Sequence, residues 1–344
     1  MKFCFVMYPW DRVEPESDST LRMIHEAVSR GHTVAITTPN NLTMRDSSAI
    51  AFCKVIKKSS DPITNNIPSF YRHVEFRKAQ LPLAGFDVIF MRANPPLDTM
   101  ALNFLDSVRG DVFIMNDIDG LRVANNKLYT ASLHDPHNEF IPATYVSKNR
   151  DYLERVLAEN TNERMIMKPL NGYGGSGVIL VEKSAQSSVK SLLDFYIGDE
   201  KNYVILQDYV EGAEQGDVRI MMLNGEPIGA MRRVPAEGDV RSNIHAGGKE
   251  VKHILSKQEK RLCKHIGPKL VRDGLYFVGL DVINGKLIEV NVLSPGGITR
   301  INRLNRTKLQ RQVIDFAESV VNAKELVISR KNEFRKVIED ADAY

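Results

Sequence analysis

A chain of 344 residues can bury a sizeable core and hold two or three domains. With 43% apolar and 26% charged residues it has the composition of a globular protein, and no apolar run reaches the length of a membrane span. A net charge of +3 is too small to imply nucleic acid, although it suits an anionic substrate. Cys4, Cys53 and Cys263 are widely spaced and form neither a metal-ligand pattern nor a disulfide framework. The opening MKFCFVMYPW lacks the long apolar stretch and small-residue cleavage site of a signal peptide. The expectation is a cytoplasmic protein with no membrane and no nucleic-acid partner.

Lys2 to Met7 reads as a buried strand and 8–18 as a polar loop. Ser19 to Arg30 then has helical spacing through Leu21, Ile24 and Val28, Gly31 stops it, and His32 to Thr37 returns as a strand. This order fits an open α/β domain, whose ligands sit beyond the carboxyl ends of the strands. Asp18 and Ser19 at the helix start are caps or ligand groups. Residues 40–80 read as irregular and polar. Phe86 to Met91 is a third strand, and Arg92 after it, before the rigid Pro95-Pro96 pair, is either a fixed cation for a substrate carboxylate or a surface arginine. Val112 to Asn116 is another short strand, and the first domain ends near residue 120.

Asn125-Asn126-Lys127 opens a short helix, Leu128 to Leu133. Farther on, the strand Met165 to Lys168 runs into PLNGYGGSGV, where Gly172, Gly174, Gly175 and Gly177 fall within six residues. Such a loop brings backbone N–H groups close to phosphate oxygens. It is not a P-loop, because no lysine and Ser/Thr pair follows and VILV continues as a strand. Lys168 can meet phosphate as a point charge. Tyr203 to Asp208 is a strand whose end could form an apolar slot with backbone hydrogen bonds for adenine.

Asp217 to Leu223 follows as a strand with Asp217 and Arg219 on one face. Asn224-Gly225 turns the chain into Pro227 to Val234, which ends with Arg232 and Arg233. The stretch AEGDVRSNIHAGGKE is too polar and glycine-rich for core, and its Arg241 and Asn243 read as ligand-facing while His245 reads as incidental. Ser256 to Lys269 has helical spacing. From Lys308 onward the chain is mostly helical, and its charged tail is frayed or packed on the surface.

The apolar runs YFVGLDVI and KLIEVNV flank Asn284-Gly285, a hairpin signal. Asp281, Glu289 and Asn291 interrupt them with oxygen ligands suited to magnesium. Glu289 and Asn291 share a strand face by parity. A regular two-residue loop would pair Asp281 with Ile288 and turn it away. A three-residue loop over Ile283-Asn284-Gly285 pairs it with Leu287 and restores the face, so that loop is the one predicted.

In this order NNKL at 125–128, MKPLNGYGGSGV, QDYV, DVRI, RSNIHAGGK and GLDVINGKLIEVNVLSPGG resemble the ATP-grasp superfamily, and within it the bacterial glutathione synthetases. The likeness covers nearly the whole chain, including MRANPPLD and the DST at 18–20. It implies an α/β protein, an ATP-grasp fold with an N-terminal open α/β (pre-ATP-grasp) domain. Its segments would be 1–120, 121–202 and 203–344, with the active site between them, assembled as a homo-oligomer. By resemblance Lys127 and Lys168 contact ATP phosphates, Gly172 to Gly177 form a mobile lid, Gln207, Asp208, Tyr209 and Val210 hold adenine, and Asp217 approaches the ribose. Asp281, Glu289 and Asn291 hold Mg2+, with Mn2+ as the alternative, while Arg219, Arg233 and Asn243 face the phosphates or the acyl intermediate. Asp18, Ser19, Arg92, Arg241, Ser294, Gly296 and Gly297 are assigned to the substrate. The implied reaction is amide formation through an acyl phosphate, from γ-glutamylcysteine and glycine. The same motifs also admit a ligase for another amino acid or peptide, and a nucleotide-binding regulator, which would have lost a metal ligand. The chain departs from familiar members at Gly296-Gly297-Ile298, near the expected acceptor end.

Overall fold

The computed structural model describes residues 1–58, 62–172, 177–198, 201–235 and 248–342. In chain order its elements are β1 (Lys2–Met7), α1 (Ser19–Ser29), β2 (Thr33–Thr37), β3 (Leu42–Arg45), β4 (Ser48–Ile56), α2 (Ile67–His73), β5 (Phe76–Pro82), β6 (Val88–Arg92), α3 (Thr99–Asp106) and β7 (Phe113–Met115). Then come α4 (Ile118–Ala124), α5 (Leu128–Ala131), β8 (Thr144–Ser147), α6 (Arg150–Glu159), β9 (Arg164–Pro169), β10 (Ile179–Glu182), α7 (Gln186–Ile197) and β11 (Val204–Asp208). The rest is β12 (Asp217–Leu223), β13 (Glu226–Val234), β14 (Lys249–Lys252), α8 (Lys257–Arg272), β15 (Phe277–Ile283), β16 (Lys286–Asn291), α9 (Ile298–Asn305) and α10 (Leu309–Asp342). They form two compact units, Met1–Ile118 with Lys308–Tyr344, and Asp119–Thr307.

In the first unit β2, β1, β6 and β7 run parallel in a seven-stranded sheet, with β7 at one edge. Phe3, Phe5 and Phe90 stack within it, because strands covered on both faces must be apolar throughout. Asp18 caps α1 by accepting from the Leu21 amide at 2.7 Å. The irregular reading of 40–80 is corrected: β3, β4, α2 and β5 lie there, with β4 antiparallel to β2, β3 and β5. Lys308–Tyr344, read with the third segment, clusters with this unit instead. Arg30 on α1 binds Asp315 and Glu318 of α10 at 2.6 and 2.9 Å. The charged tail is helical through Asp342 and exposed along the side chains described.

The second unit carries two antiparallel sheets, β10-β9-β11-β8 and β14-β13-β12-β15-β16. In the smaller sheet Met165, Met167, Val204 and Leu206 pack with Leu153, Val156, Val189 and Leu193, which lie on α6 and α7. By strand parity Ile166, Lys168, Ile205, Gln207 and Thr144 take the other face. Asn284 and Gly285 have φ of 45° and 75°, the left-handed pair that a tight two-residue hairpin turn requires. The three-residue loop is thus corrected: Ile283 pairs with Lys286 and Val282 with Leu287. A bulge then passes over Ile288, so that Asp281 pairs with Glu289. The shared face of the two acids holds, but the bulge creates it rather than the loop.

Helix α8 opens with a capping box between Ser256 and Glu259 and packs Gly267 against the β12–β13 turn. A Cβ at Gly267 would lie 2.3 Å from the carbonyl oxygen of Gly225. Gly267→Ala is expected to cost roughly 2 kcal/mol, the scale of an overpacked core, as a lowered thermal midpoint. Gly110→Ala, with nothing within 4 Å, is the neutral control.

Candidate active site

On the five-stranded sheet, register places Asp217 opposite Arg233, Arg219 opposite Asp281, and Asp281 opposite Glu289. These side chains therefore share one face. Arg219 donates from Nε and Nη2 to the two Asp281 oxygens at 2.5 and 2.9 Å. The Arg233 guanidinium binds both Asp217 oxygens and lies 3.0 Å from Asp281 Oδ1. Asn291 adds its amide N–H to Asp281 Oδ2 at 3.1 Å. Room for the Arg219 stem comes from Gly279, where a Cβ would meet Arg219 Cδ at 3.2 Å.

Burial alone would raise the Asp281 pKa, but the two guanidiniums outweigh it and hold the carboxyl well below the usual carboxylate range. Burial likewise opposes the charge on Arg233, while Asp281 and Asp217 drive its pKa up. The four groups are buried and together neutral, two guanidiniums against two carboxylates.

The outer edge of β16 receives the segment that carries Lys127. Thr130 Oγ1 accepts from the Val290 amide at 3.1 Å, and the Leu287 amide donates to the Phe140 carbonyl at 2.6 Å. This docking brings Lys127 Nζ to 3.3 Å from Glu289 Oε1. Lys127 also donates to the carbonyl of Gly172, while Tyr196 donates to that of Gly177 at 2.8 Å, so both described ends of the glycine loop are held. On the smaller sheet Lys168 is 5% exposed and donates to Gln207 Oε1 at 2.9 Å. Burial lowers its pKa to about 8, with Glu289 opposing that shift and Lys127 adding to it.

Several expected residues are otherwise engaged. Gln207 gives its side chain to Lys168, so any adenine contact at that position falls to its backbone. Asp208 accepts from Asn160 at 2.8 Å, the Arg164 guanidinium covers Tyr209 at 4.1 Å, and the Val210 carbonyl accepts from Ala213 at 3.3 Å. Asp217 is committed to Arg233. Ser294 has φ of 49°, Gly297 has φ of 138°, and the Gly296 carbonyl accepts from Arg219 Nη1 at 3.0 Å. Gly174, Gly175, Arg241, Asn243 and His245 lie outside the described residues.

In the first unit Asp18, Ser19 and Arg92 cluster at the carboxyl ends of β1 and β6, where Met7 and Arg92 are partners. Arg92 is 3% exposed, with Nε donating to Thr20 Oγ1 at 3.0 Å. Burial lowers its pKa to about 10 against the pull of Tyr8 and Asp18. The surface-arginine reading of Arg92 is excluded. Tyr8, which donates to Asp18, was hidden in the sequence because its segment reads only as a polar loop.

Asp281, Glu289 and Asn291 fit a hard divalent cation: two carboxylates and an amide oxygen on adjacent strands. Among the described residues no three His, Cys, Asp or Glu side chains form a metal set. Among them, too, no helix is long and apolar enough to cross a membrane.

Fold and site define an ATP-grasp ligase. The model of the prokaryotic glutathione synthetase ATP-grasp domain matches residues 126–306, and that of its N-terminal domain matches 1–122. The chain belongs to the prokaryotic glutathione synthetase family. The glutathione synthetase of Gloeobacter violaceus is 36% identical over 329 residues, covering 92% of this chain and 96% of that one. The enzyme of the same name from a Nostoc species is 31% identical over 326 residues, covering 92% and 98%. Among solved structures, D-cycloserine synthetase DcsG superposes with a TM-score of 0.61 at 13% identity, covering 93% of this chain and 99% of that one. A RimK-domain ATP-grasp protein from Sphaerobacter thermophilus gives 0.58 at 15% identity, covering 92% and 99%. At such identities the likeness is one of fold.

Removing the Asp281 carboxylate leaves two buried guanidiniums short of an acceptor. Asp281→Ala is expected to lose about 3–5 kcal/mol in nucleotide-free denaturant unfolding. Because the folded-state pKa of Asp281 is depressed, its stabilisation is full above the unfolded value of about 4 and fades as pH falls below it. The acid arm of a stability–pH curve should therefore be shallower in the variant.

Proposed function

We propose that the chain is an ATP-dependent glutathione synthetase, joining γ-glutamylcysteine to glycine. The observation that carries this reading is the match through residues 1–122, the glutathione synthetase N-terminal domain. The solved ATP-grasp proteins resemble the chain in fold alone, at 12–15% identity. A ligase for another amino acid or peptide shares the nucleotide chemistry, and Gly296-Gly297 is the place where such a difference would be written.

In this reading ATP is a substrate. Lys127 and Lys168 neutralise its phosphates, the loop from Gly172 to Gly177 covers them, and residues 207–210 receive the adenine. Asp281, Glu289 and Asn291 would hold Mg2+, or Mn2+ in its place, which when bound supplies charge neutralisation at the phosphates. The acid's carboxylate takes the γ-phosphoryl group to give an acyl phosphate, and the amine displaces phosphate to form the amide. Arg219 and Arg233, with Asn243, carry the negative charge of transfer. A cation held there would share the Asp281 oxygens that Arg219 and Arg233 bind, and both guanidiniums would lie within the same charge set to meet phosphoryl oxygens. Arg92, at the strand ends with Asp18 and Ser19, would meet a carboxylate of the peptide substrate. Three buried free thiols support a reducing compartment such as the cytoplasm, and the family resemblance supports a homo-oligomer.

The test is phosphate release from Mg-ATP across a panel of acid and amine pairs. Turnover is expected with γ-glutamylcysteine plus glycine, and turnover only with another pair would move the assignment to a different ligase. Glu289→Gln is expected to lose most turnover through weaker magnesium-nucleotide binding, read as a raised magnesium requirement. Near-normal activity at limiting magnesium would remove Glu289 from the site.

Because burial lowers the Lys168 pKa to about 8, kcat/KM for ATP should decline as pH rises through that value. The pH profile of Lys168→Arg should stay flat there, since a guanidinium remains charged.

A further inference from the structure

We propose that Thr144 and Gln207 are positioning residues that act through Lys168, holding its ammonium toward the nucleotide phosphates. This rests on the reading of Lys168 as a phosphate contact.

Thr144 and Gln207 are partners in the β8–β11 register, Gln207 faces Ile166 on β9, and Lys168 lies two residues beyond Ile166. The three polar side chains therefore stand in a row on the sheet face opposite the α6–α7 core. The row has a fixed direction. Thr144 donates its one hydroxyl hydrogen to the Pro142 carbonyl at 2.7 Å, so toward Gln207 it can only accept. The group facing it, at 2.8 Å, must then be the Gln207 amide nitrogen. That leaves Oε1 to face Lys168, where it accepts at 2.9 Å. The ammonium, which can only donate, demands the same orientation from its side, so with the hydroxyl absent the amide would lose its far anchor and keep Lys168 alone to hold it.

The chemistry of the acceptor matters. Lys168 and Gln207 are 5% and 4% exposed, so the ammonium needs a partner once water is excluded. A carboxylate would supply one but would cancel the charge that a phosphate must meet. A neutral amide holds the ammonium and leaves its charge intact. Among the described residues Gln207 is its hydrogen-bond partner, which leaves two ammonium hydrogens for phosphate oxygens. Lys127 differs, since it is paired with Glu289.

The experiment measures ATP and ADP dissociation constants by displacement of a fluorescent nucleotide, with the full chain and no acid or amine present. Thr144→Val and Gln207→Met should each weaken nucleotide binding roughly tenfold, the scale of a lost hydrogen bond to a charged group. Thr144→Ser, which keeps the hydroxyl, should bind within about twofold of the parent. If Thr144 acts only by orienting Gln207, the double variant should bind no more weakly than Gln207→Met alone. In turnover the KM for ATP should rise with little change in kcat or in the KM for the amine. The proposal is overturned if Thr144→Ser is as impaired as Thr144→Val, if the two losses add in full, or if both variants bind like the parent. Binding does not depend on the product, so a protein that binds ATP through this row but makes no glutathione would refute the substrate assignment and leave the row standing.

Discussion

The site depends on one buried carboxylate. Asp281 accepts from two guanidiniums and an amide, and Arg233 brings a second carboxylate, Asp217, into the set. Removing charges from water is costly, and the cost is recovered only where every lone pair and N–H finds a partner. A β-sheet can satisfy that demand because directly opposed residues stand side by side on one face. Here register sets Asp217 opposite Arg233, Arg219 opposite Asp281, and Asp281 opposite Glu289. The geometry of the charge set is thus the geometry of the sheet, and it cannot drift without breaking strand pairing.

The bulge in β16 belongs to the same constraint. Without an extra residue, a two-residue hairpin turn would set Asp281 against Ile288 and send Glu289 to the opposite face. With it, both acids face one way, and the Val290 and Leu287 amides on the outer edge bind Thr130 and Phe140. That docking carries Lys127 to Glu289 and ties it to the end of the glycine loop. One inserted residue therefore links the face of Asp281 and Glu289 to Lys127.

Much of this was legible in the sequence because sheets have a period of two. The central strands of the first unit, the glycine loop, the Asn-Gly turns and the parity of Glu289 with Asn291 all follow from apolar runs and turn residues. The mechanism of register did not, since a bulge is selected by what docks on the edge of β16, far away in sequence. Within 40–80 the exposed residues of β3 and β5 give little apolar alternation to read, whereas β4 does alternate and is legible as a strand. The side-chain bond between Gln207 and Lys168 is not legible in the sequence. Motif order identifies the end of a strand, whereas the direction of an amide depends on a threonine on another strand. Arg92 could be read as either surface or site, and only the packing around Tyr8 and Thr20 separates the two.

The two glycines at 296 and 297 can be understood in the same physical terms. Arg219 spans the site, with one edge of its guanidinium on Asp281 and Nη1 on the Gly296 carbonyl. Gly297 follows with φ of 138°, a conformation that a side chain would strain, and a Cβ there would meet the Met221 sulfur at 3.3 Å. A bulkier residue at 297 would have to change the path of the turn, and with it the carbonyl that Arg219 holds. The turn at 296–297 is therefore bonded directly to an arginine of the charge set. The path of this turn and the placement of Arg219 share a hydrogen bond, so a change in the turn would be felt at Arg219 and, through it, at Asp281.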